Sequence, residues 1–359
     1  MTTTTHNHSK IGILTFHDGP NYGGFMQAWH LREAIKRLGM DVTTLNYLHP
    51  AHVASNQNIM PVRDLGSLKA RVHWELKRFP FRQLGNSLCD HPFTSNPASI
   101  DWQSYHRIVV GSDVVWDFET AEFGHDPAYF GALTEQRGAK FISYAASCGS
   151  ANVEGPLPEY CNGLKEFIAL GVRDQSAAQL AKRVTGRDAE LVMDPTWLQD
   201  DPKNDFARKI GRKYILVYGT PLKGEFADAL VKMCRSKGWI IISAGAGGAC
   251  IDKTYRMLTP FQWVSLIKAA EATIVGGLHG TLYSIKYGKP FILVSRKNSR
   301  QKARHVLEIS GQKFRQITPD KLNREHVDLL QPDSPLPTGV PEEWRRRSLG
   351  FLSTALQNS

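Results

Sequence analysis

Short apolar runs alternate with amphipathic segments along most of the chain, the pattern of strands and helices taken in turn. Ile11-Gly12-Ile13-Leu14-Thr15-Phe16 reads as a buried strand, and His17 to Gly24 as a loop rich in turn formers. Ala28, Leu31, Ile35 and Leu38 then recur at helical spacing, with Arg32, Lys36 and Arg37 between them, before Gly39 stops the helix. Asp41 to Tyr47 gives a second strand, so the chain opens as a βαβ unit of a doubly wound sheet. The first loop lacks the G-x-G-x-x-G spacing of a dinucleotide site, which argues against NAD or FAD.

A second strand–helix series begins at Tyr214-Ile215-Leu216-Val217-Tyr218, followed by a helix from about Glu225 to Ser236 and a strand at Trp239 to Ser243. The glycine-rich loop Ala244 to Ala249 lacks the Lys-Ser/Thr of a P-loop. Thr259 caps a helix with Pro260 in its first turn, and that helix leads to the strand Ala272-Thr273-Ile274-Val275. Phe291 to Val294 is the following strand, and Ser299 to Ile309 another helix.

At 359 residues the chain is long for one core. The expected organisation is an N-terminal α/β domain over 10–196 with an irregular insert at about 50–102, a linker over 197–212, a C-terminal domain over 213–330, and a tail over 331–359 that can cross back. One helix is expected in the insert, around Leu68 to Arg78. A hydrophobic fraction of 42% and a charged fraction of 22% are those of a soluble globular protein, and a net charge of +10 favours anionic partners. Lys and Arg are dispersed and no nucleic-acid motif is present, so nucleic acid is not the expected partner. The sequence has neither a span of some eighteen apolar residues nor the regions of a signal peptide, which leads to a cytoplasmic expectation. The five cysteines show no C-x-x-C pairing and the acidic and histidine residues no ligand spacing, so no metal is expected.

Gly277-Leu278-His279-Gly280-Thr281 is the segment richest in candidate chemistry. It joins a strand to a helix, where backbone N–H groups and the positive end of the helix dipole can hold an anion beside His279. The plain alternative is a histidine that only caps the helix.

Further segments sit at the ends of plausible strands: Thr15-Phe16-His17-Asp18 with Asn21-Tyr22-Gly23-Gly24, Val110-Gly111-Ser112-Asp113-Val114-Val115-Trp116, Ile142 to Gly149, Val172-Arg173-Asp174 and Met193-Asp194-Pro195-Thr196. Together with the histidine segment, in this order, they resemble the blocks of the polysaccharide pyruvyl transferase family, from about residue 10 to about 310. The resemblance implies two Rossmann-like domains facing across a cleft, similar to GT-B glycosyltransferases. It also implies transfer of a carboxyethylidene (pyruvyl) group from phosphoenolpyruvate to two hydroxyls of a sugar, with release of phosphate and no cofactor. The acceptor is expected to be a lipid-linked sugar, met by peripheral contact at the inner membrane through Trp74, Lys77, Arg78 and Trp344 to Arg347.

Under that resemblance Arg173 is the first choice to clamp the donor, with Leu278, His279, Gly280, Thr281, Arg300 and Lys302 completing its site. His279 serves as acid or phosphate contact and Asp18 as base, while His17, Asn21, Tyr22, Asp113 and Trp116 face the acceptor. Arg173 could instead form a salt bridge with Asp174 or Glu190, and Asp113 could instead cap a helix. Where many family members carry arginine or phenylalanine, two residues before the histidine, this chain has Gly277. Two other readings are a nucleotide-sugar glycosyltransferase, with Glu308 as the acid that reads the ribose, and a non-catalytic anion-binding relative.

Overall fold

The computed structural model describes residues 10–57, 72, 79–123, 125–295, 300–331 and 339–357, with the backbone alone at 55–57, 122 and 300–302. Two compact units result: residues up to Gln199 together with Glu343 onward, and Asp200–Glu342.

The first unit is built on a parallel sheet of β1 (Ile11–Leu14), β2 (Val42–Thr44), β3 (Arg107–Val110), β4 (Phe141–Ala146), β5 (Phe167–Val172) and β6 (Glu190–Leu191), in the order β2-β1-β3-β4-β5-β6. Every residue of β1, β3 and β4 is buried, and apart from Arg107 in β3 and Ser143 in β4 their residues are apolar or aromatic, as expected of a parallel sheet covered on both faces. The helix Tyr22–Arg37 starts where the Asn21 side chain accepts from the Gly23 and Gly24 amides at 3.1 and 3.2 Å. Gly111, at φ 115°, is required by crowding, because a Cβ there would lie 2.3 Å from the Tyr144 carbonyl oxygen.

The insert corrects the sequence reading. A helix, Pro50–Gln57, follows β2 directly, so the region starts as an ordinary βα connection with proline at the first turn. Residues 79–86 are also helical, whereas the helix expected around 68–78, with Trp74, Lys77 and Arg78, lies outside the described residues except at Val72. Phe81 is buried against Tyr22, with ring centroids 5.2 Å apart, and Phe79 is exposed.

The helix Glu342–Gln357 closes the first unit. Trp344 Nε1 donates to the Leu191 carbonyl at 3.2 Å, Arg345 Nε to that of Trp197 at 3.0 Å, and Ser348 Oγ accepts from the Met193 amide at 3.0 Å. Arg346 pairs with Glu343 and Arg347 with Glu190, so this basic run is occupied within the unit. Among the described residues no helix is long and apolar enough to cross a membrane. A chain ending at residue 341 exposes the pocket that Leu352 and Leu356, both fully buried, now fill. The loss expected from those two leucines alone is about 3–6 kcal/mol, to be read as a lower urea midpoint for the truncated chain.

The second unit repeats the plan with β7 (Tyr214–Tyr218), β8 (Ile240–Ala244), β9 (Lys253–Tyr255), β10 (Ala272–Val275), β11 (Phe291–Val294) and β12 (Gln316–Ile317), all parallel, in the order β12-β11-β10-β7-β8-β9. Its entry is fixed by Asp201, which is buried with Lys286 Nζ at 2.6 Å and accepts from the Tyr283 and Tyr287 hydroxyls at 3.0 and 2.5 Å. Burial alone would make this aspartate costly; a cation and two phenols compensate it. Thr259 forms a capping box with Gln262 at the start of the helix Pro260–Ala269.

Candidate active site

In the first unit the carboxyl ends of the strands bring together Asp113 after β3, Ser147 after β4, Arg173 and Asp174 after β5, and Asp194 beyond β6. In doubly wound sheets this is the edge where ligands bind. Arg173 is placed by its own amide, which donates to the Ala146 carbonyl at 3.1 Å. Its guanidinium lies 3.1 Å from Asp194 Oδ2 and 3.6 Å from Asp113 Oδ1, and it is 7% exposed. Burial works against the charge on Arg173, and Asp113, Asp194 and Asp174 outweigh it, so its pKa is raised.

The ion-pair partners named from sequence are corrected here. Asp174 accepts from the Ser147 hydroxyl at 2.5 Å and caps the helix Gln175–Thr185 through the Ala177 amide at 3.0 Å, and Glu190 is taken by Arg347. Strand-end geometry leaves Asp113 and Asp194 to Arg173. Asp113 does not cap a helix either: it has φ 78°, its carboxylate accepts from the Val114 amide at 2.9 Å, and its carbonyl accepts from the Ser147 amide at 2.9 Å. A left-handed aspartate held this way carries backbone strain, which is kept where surrounding bonds overdetermine it.

The β1 loop is rigidly built. Gln27 Nε2 donates to Thr15 Oγ1 and to the Phe16 carbonyl, both at 3.0 Å, the Ser112 hydroxyl bonds to Gln27 Oε1, and Thr15 Oγ1 donates to the Ser112 carbonyl at 3.0 Å. His17 is 1% exposed, with Nδ1 3.0 Å from the Thr15 carbonyl and Nε2 3.2 Å from Asn46 Oδ1 and 3.5 Å from Cys89 Sγ. Asp18 is half-buried, Asn21 is the exposed helix cap, and Tyr22 is buried. Trp116 is fully buried, its Nε1 donating to the Tyr129 carbonyl at 3.0 Å and its ring packed on Phe130 and Phe167. Asp18, the base expected from sequence, keeps solvent access, as do Asn21 and Asp113 among the expected acceptor residues, whereas His17, Tyr22 and Trp116 shape the site from behind. Cys148 is buried and its thiol is held well above the usual range by that burial.

The sequence reading missed His52. It stacks on Phe16 and beside Phe123, with ring centroids at 4.5 and 5.9 Å, and the two phenylalanine rings stack on each other at 5.2 Å, so the three form one cluster. Burial pushes its pKa from 6.5 down to about 4, opposed by the charge of Asp113 and reinforced by His17 and His49. The imidazole is therefore neutral near pH 7, on an aromatic wall in the field of Asp113. The available signal was His49-Pro50 directly after a strand, a proline-started helix in the place a βα unit puts one. The folded pKa lies below the unfolded one, so between pH 6.5 and 4 the unfolded chain binds a proton that the folded chain does not. Stability is expected to drop by about 2 kcal/mol from pH 7 to 5 on this account, and His52→Gln to remove that component. Urea unfolding at the two pH values measures it; equal pH dependence in both proteins would contradict the burial of a neutral imidazole.

In the second unit β10 ends at Val275 and the helix Leu278–Lys286 begins with Gly277 as its N-cap, a residue with no side chain to occupy the first-turn amides. Gly276 permits the turn, since a Cβ there would lie 2.1 Å from the Gly219 carbonyl oxygen beyond β7. Leu278 and His279 are half-buried, Gly280 is buried against Val275, and Thr281 Oγ1 donates to the Gly277 carbonyl at 3.1 Å. Arg300 opens the helix Arg300–Ile309 that follows β11, with Lys302 in the same turn; their side chains lie outside the description. Among the described residues no group of three or more His, Cys, Asp or Glu is placed to hold a metal ion.

The family model for polysaccharide pyruvyl transferase matches residues 21–298, through both sheets. The chain belongs to the polysaccharide pyruvyl transferase family. Among solved structures it is similar to the S. aureus MnaA–UDP co-structure, with 12% identity, 97% of each chain covered and a TM-score of 0.52. It is equally similar to Methanocaldococcus jannaschii UDP-GlcNAc 2-epimerase in complex with UDP-GlcNAc and UDP, with 12% identity, 96% of this chain and 99% of the other covered, and a TM-score of 0.52. At that identity the likeness speaks of fold alone, and the fold is GT-B-like with two Rossmann-like units. A search of curated proteins finds no match.

Proposed function

We propose that this family member transfers a carboxyethylidene group from phosphoenolpyruvate to two hydroxyls of a sugar in a polysaccharide or cell-wall glycan, forming a cyclic ketal and releasing phosphate. The observation that carries the reading is the family match across both sheets, including the histidine segment at the end of β10. The chemistry asks for an anion site, a proton donor and a hydroxyl-activating group. The start of the helix Leu278–Lys286 supplies unblocked dipole and amide character with His279 in its first turn, suited to the donor phosphate and to proton transfer at the methylene carbon. Asp18 and Asp113, at the carboxyl edge of the first sheet, suit activation of an acceptor hydroxyl, and neutral His52 beside Phe16 and Phe123 gives a sugar ring an apolar face with a polar tip. No cofactor enters this scheme.

A nucleotide-sugar transferase reading finds less support. Glu308, the acid it would use for the ribose, is occupied by Arg304 at 2.9 Å and Lys313 at 3.5 Å. Thermal denaturation separates the two, because a ligand that binds only the folded state raises the melting temperature. Phosphoenolpyruvate is expected to raise it and UDP-sugars to leave it unchanged; the opposite pattern would replace this reading with the transferase one.

Gly277 offers a direct probe of the donor site. Its φ of −160° is extended backbone open to any residue, and a Cβ there meets nothing within 4 Å. Gly277→Arg is expected to fold normally and to lower the KM for phosphoenolpyruvate about tenfold, the value of one charge-assisted hydrogen bond. An unchanged or raised KM in steady-state kinetics would place the donor elsewhere.

A further inference from the structure

Beside the β1 loop, against the end of β2, lies a cavity of about 490 Å³ that the catalytic scheme does not use. It is lined by Asn46, His91, Phe93, Asp101, Ser104 and Tyr105 among others. We infer that this cavity is a subsite for a neutral saccharide, holding a sugar unit of the acceptor other than the one that is modified. The inference rests on the acceptor being a glycan, as proposed above.

The lining is that of a carbohydrate site rather than an anion site. Phe93 is 40% exposed, and an aromatic side chain left open at a cavity is a platform for the C–H face of a sugar ring. Asp101 is exposed at the start of a short helical turn where its carbonyl accepts from the Ser104 hydroxyl at 2.7 Å, while its carboxylate makes no cap, so both carboxylate oxygens face adjacent hydroxyls. Burial, with Asp90 and Asp101 adding to it, pushes the Tyr105 phenol up to about 12, which keeps it a neutral donor. Lys10, over the Tyr105 ring at 6.0 Å, is already paired with Asp90 at 3.2 Å. The lining holds one carboxylate, Asp101, and no lysine or arginine, so although the protein carries a net charge of +10 the cavity offers a phosphate or carboxylate no cationic partner of that kind.

Asn46 connects the cavity to the β1 loop. Its Nδ2 donates to the His91 carbonyl at 3.1 Å and to Asn86 Oδ1 at 3.3 Å, which turns Oδ1 towards His17 Nε2. One amide thus belongs both to the cavity wall and, through His17, to the β1 loop that carries Asp18, and the proposal has the glycan run from the cavity towards that loop.

The test is saturation-transfer difference NMR on the full chain, with lactose, mannobiose and chitobiose as probes. At least one is expected to give a signal that phosphoenolpyruvate does not displace, and that falls at least fivefold in Phe93→Ala and in Asp101→Asn. Both substituted residues are exposed, and unchanged melting temperatures confirm folding. No signal from any of the three, or signals that persist in both variants, would overturn the subsite. The melting-temperature response to phosphoenolpyruvate, measured on the same proteins, reports on the donor reading separately: its absence in the parent chain would defeat the proposed reaction whatever the sugars do.

Discussion

Replacing His279 with alanine is expected to lower turnover by about two orders of magnitude or more, while the protein stays folded. The imidazole stands in the first turn of the helix Leu278–Lys286, after a Gly276-Gly277 turn that allows β10 to approach the end of β7, and it is half-buried. A group in that position can follow phosphate charge as it develops and can move a proton, and alanine does neither. His279→Gln keeps a hydrogen-bond donor but cannot pass on a proton, so it should hold the donor KM near the parent value and still lose most of kcat. Phosphate release measured with acceptor present decides the matter: parent rates in both variants would reduce His279 to a helix-start residue.

The second large effect is on stability. Arg173→Ala is expected to cost about 3–5 kcal/mol, because it removes the cation between two carboxylates that stay largely buried, Asp113 and Asp194. Asp194 is 2% exposed and also accepts from the Thr196 amide at 3.1 Å and its hydroxyl at 2.8 Å, so it cannot turn out to water without breaking its own turn. Adding Asp194→Asn to Arg173→Ala should recover part of the loss by removing one of the stranded charges. Urea unfolding of the two proteins gives the comparison. A midpoint unchanged in Arg173→Ala, together with a raised KM for phosphoenolpyruvate, would move Arg173 from the frame of the site into direct donor contact.

Much of the fold was legible because its strands are buried on both faces and its helices are capped by the residues that ordinarily cap them. Ile11 to Leu14 and Phe291 to Val294 are apolar runs, Ala272 to Val275 is broken only by Thr273, and Thr259 announces the helix it starts, whereas the cap at Asn21 was masked by the turn-rich loop around it. The short edge strands β9 and β12 carried no such signal, since strands of three and two residues bury too little to impose a pattern. The helix Pro50–Gln57 was hidden by its mixed composition, and with it His52, whose importance comes from Phe16 and Phe123, distant in sequence.

The candidate site was legible as a set of strand ends but not as a set of contacts. Arg173 could be placed at the end of β5 from sequence; that its partners are Asp113 and Asp194 follows from sheet order, which brings β3, β4, β5 and β6 side by side. Trp116 carried the right spacing, yet Phe130 and Phe167 draw its ring into the core. Nothing in a one-dimensional pattern distinguishes a tryptophan that lines a site from one that supports it.

Mass spectrometry of a saccharide after incubation with the protein and phosphoenolpyruvate, with inorganic phosphate assayed in the same tube, tests the central claim most directly. The account predicts a gain of one carboxyethylidene group on an acceptor bearing two suitably spaced hydroxyls, matched mole for mole by phosphate and abolished in His279→Ala. Transfer of a glycosyl unit from a UDP-sugar to the same acceptors, with phosphoenolpyruvate left intact, would contradict it.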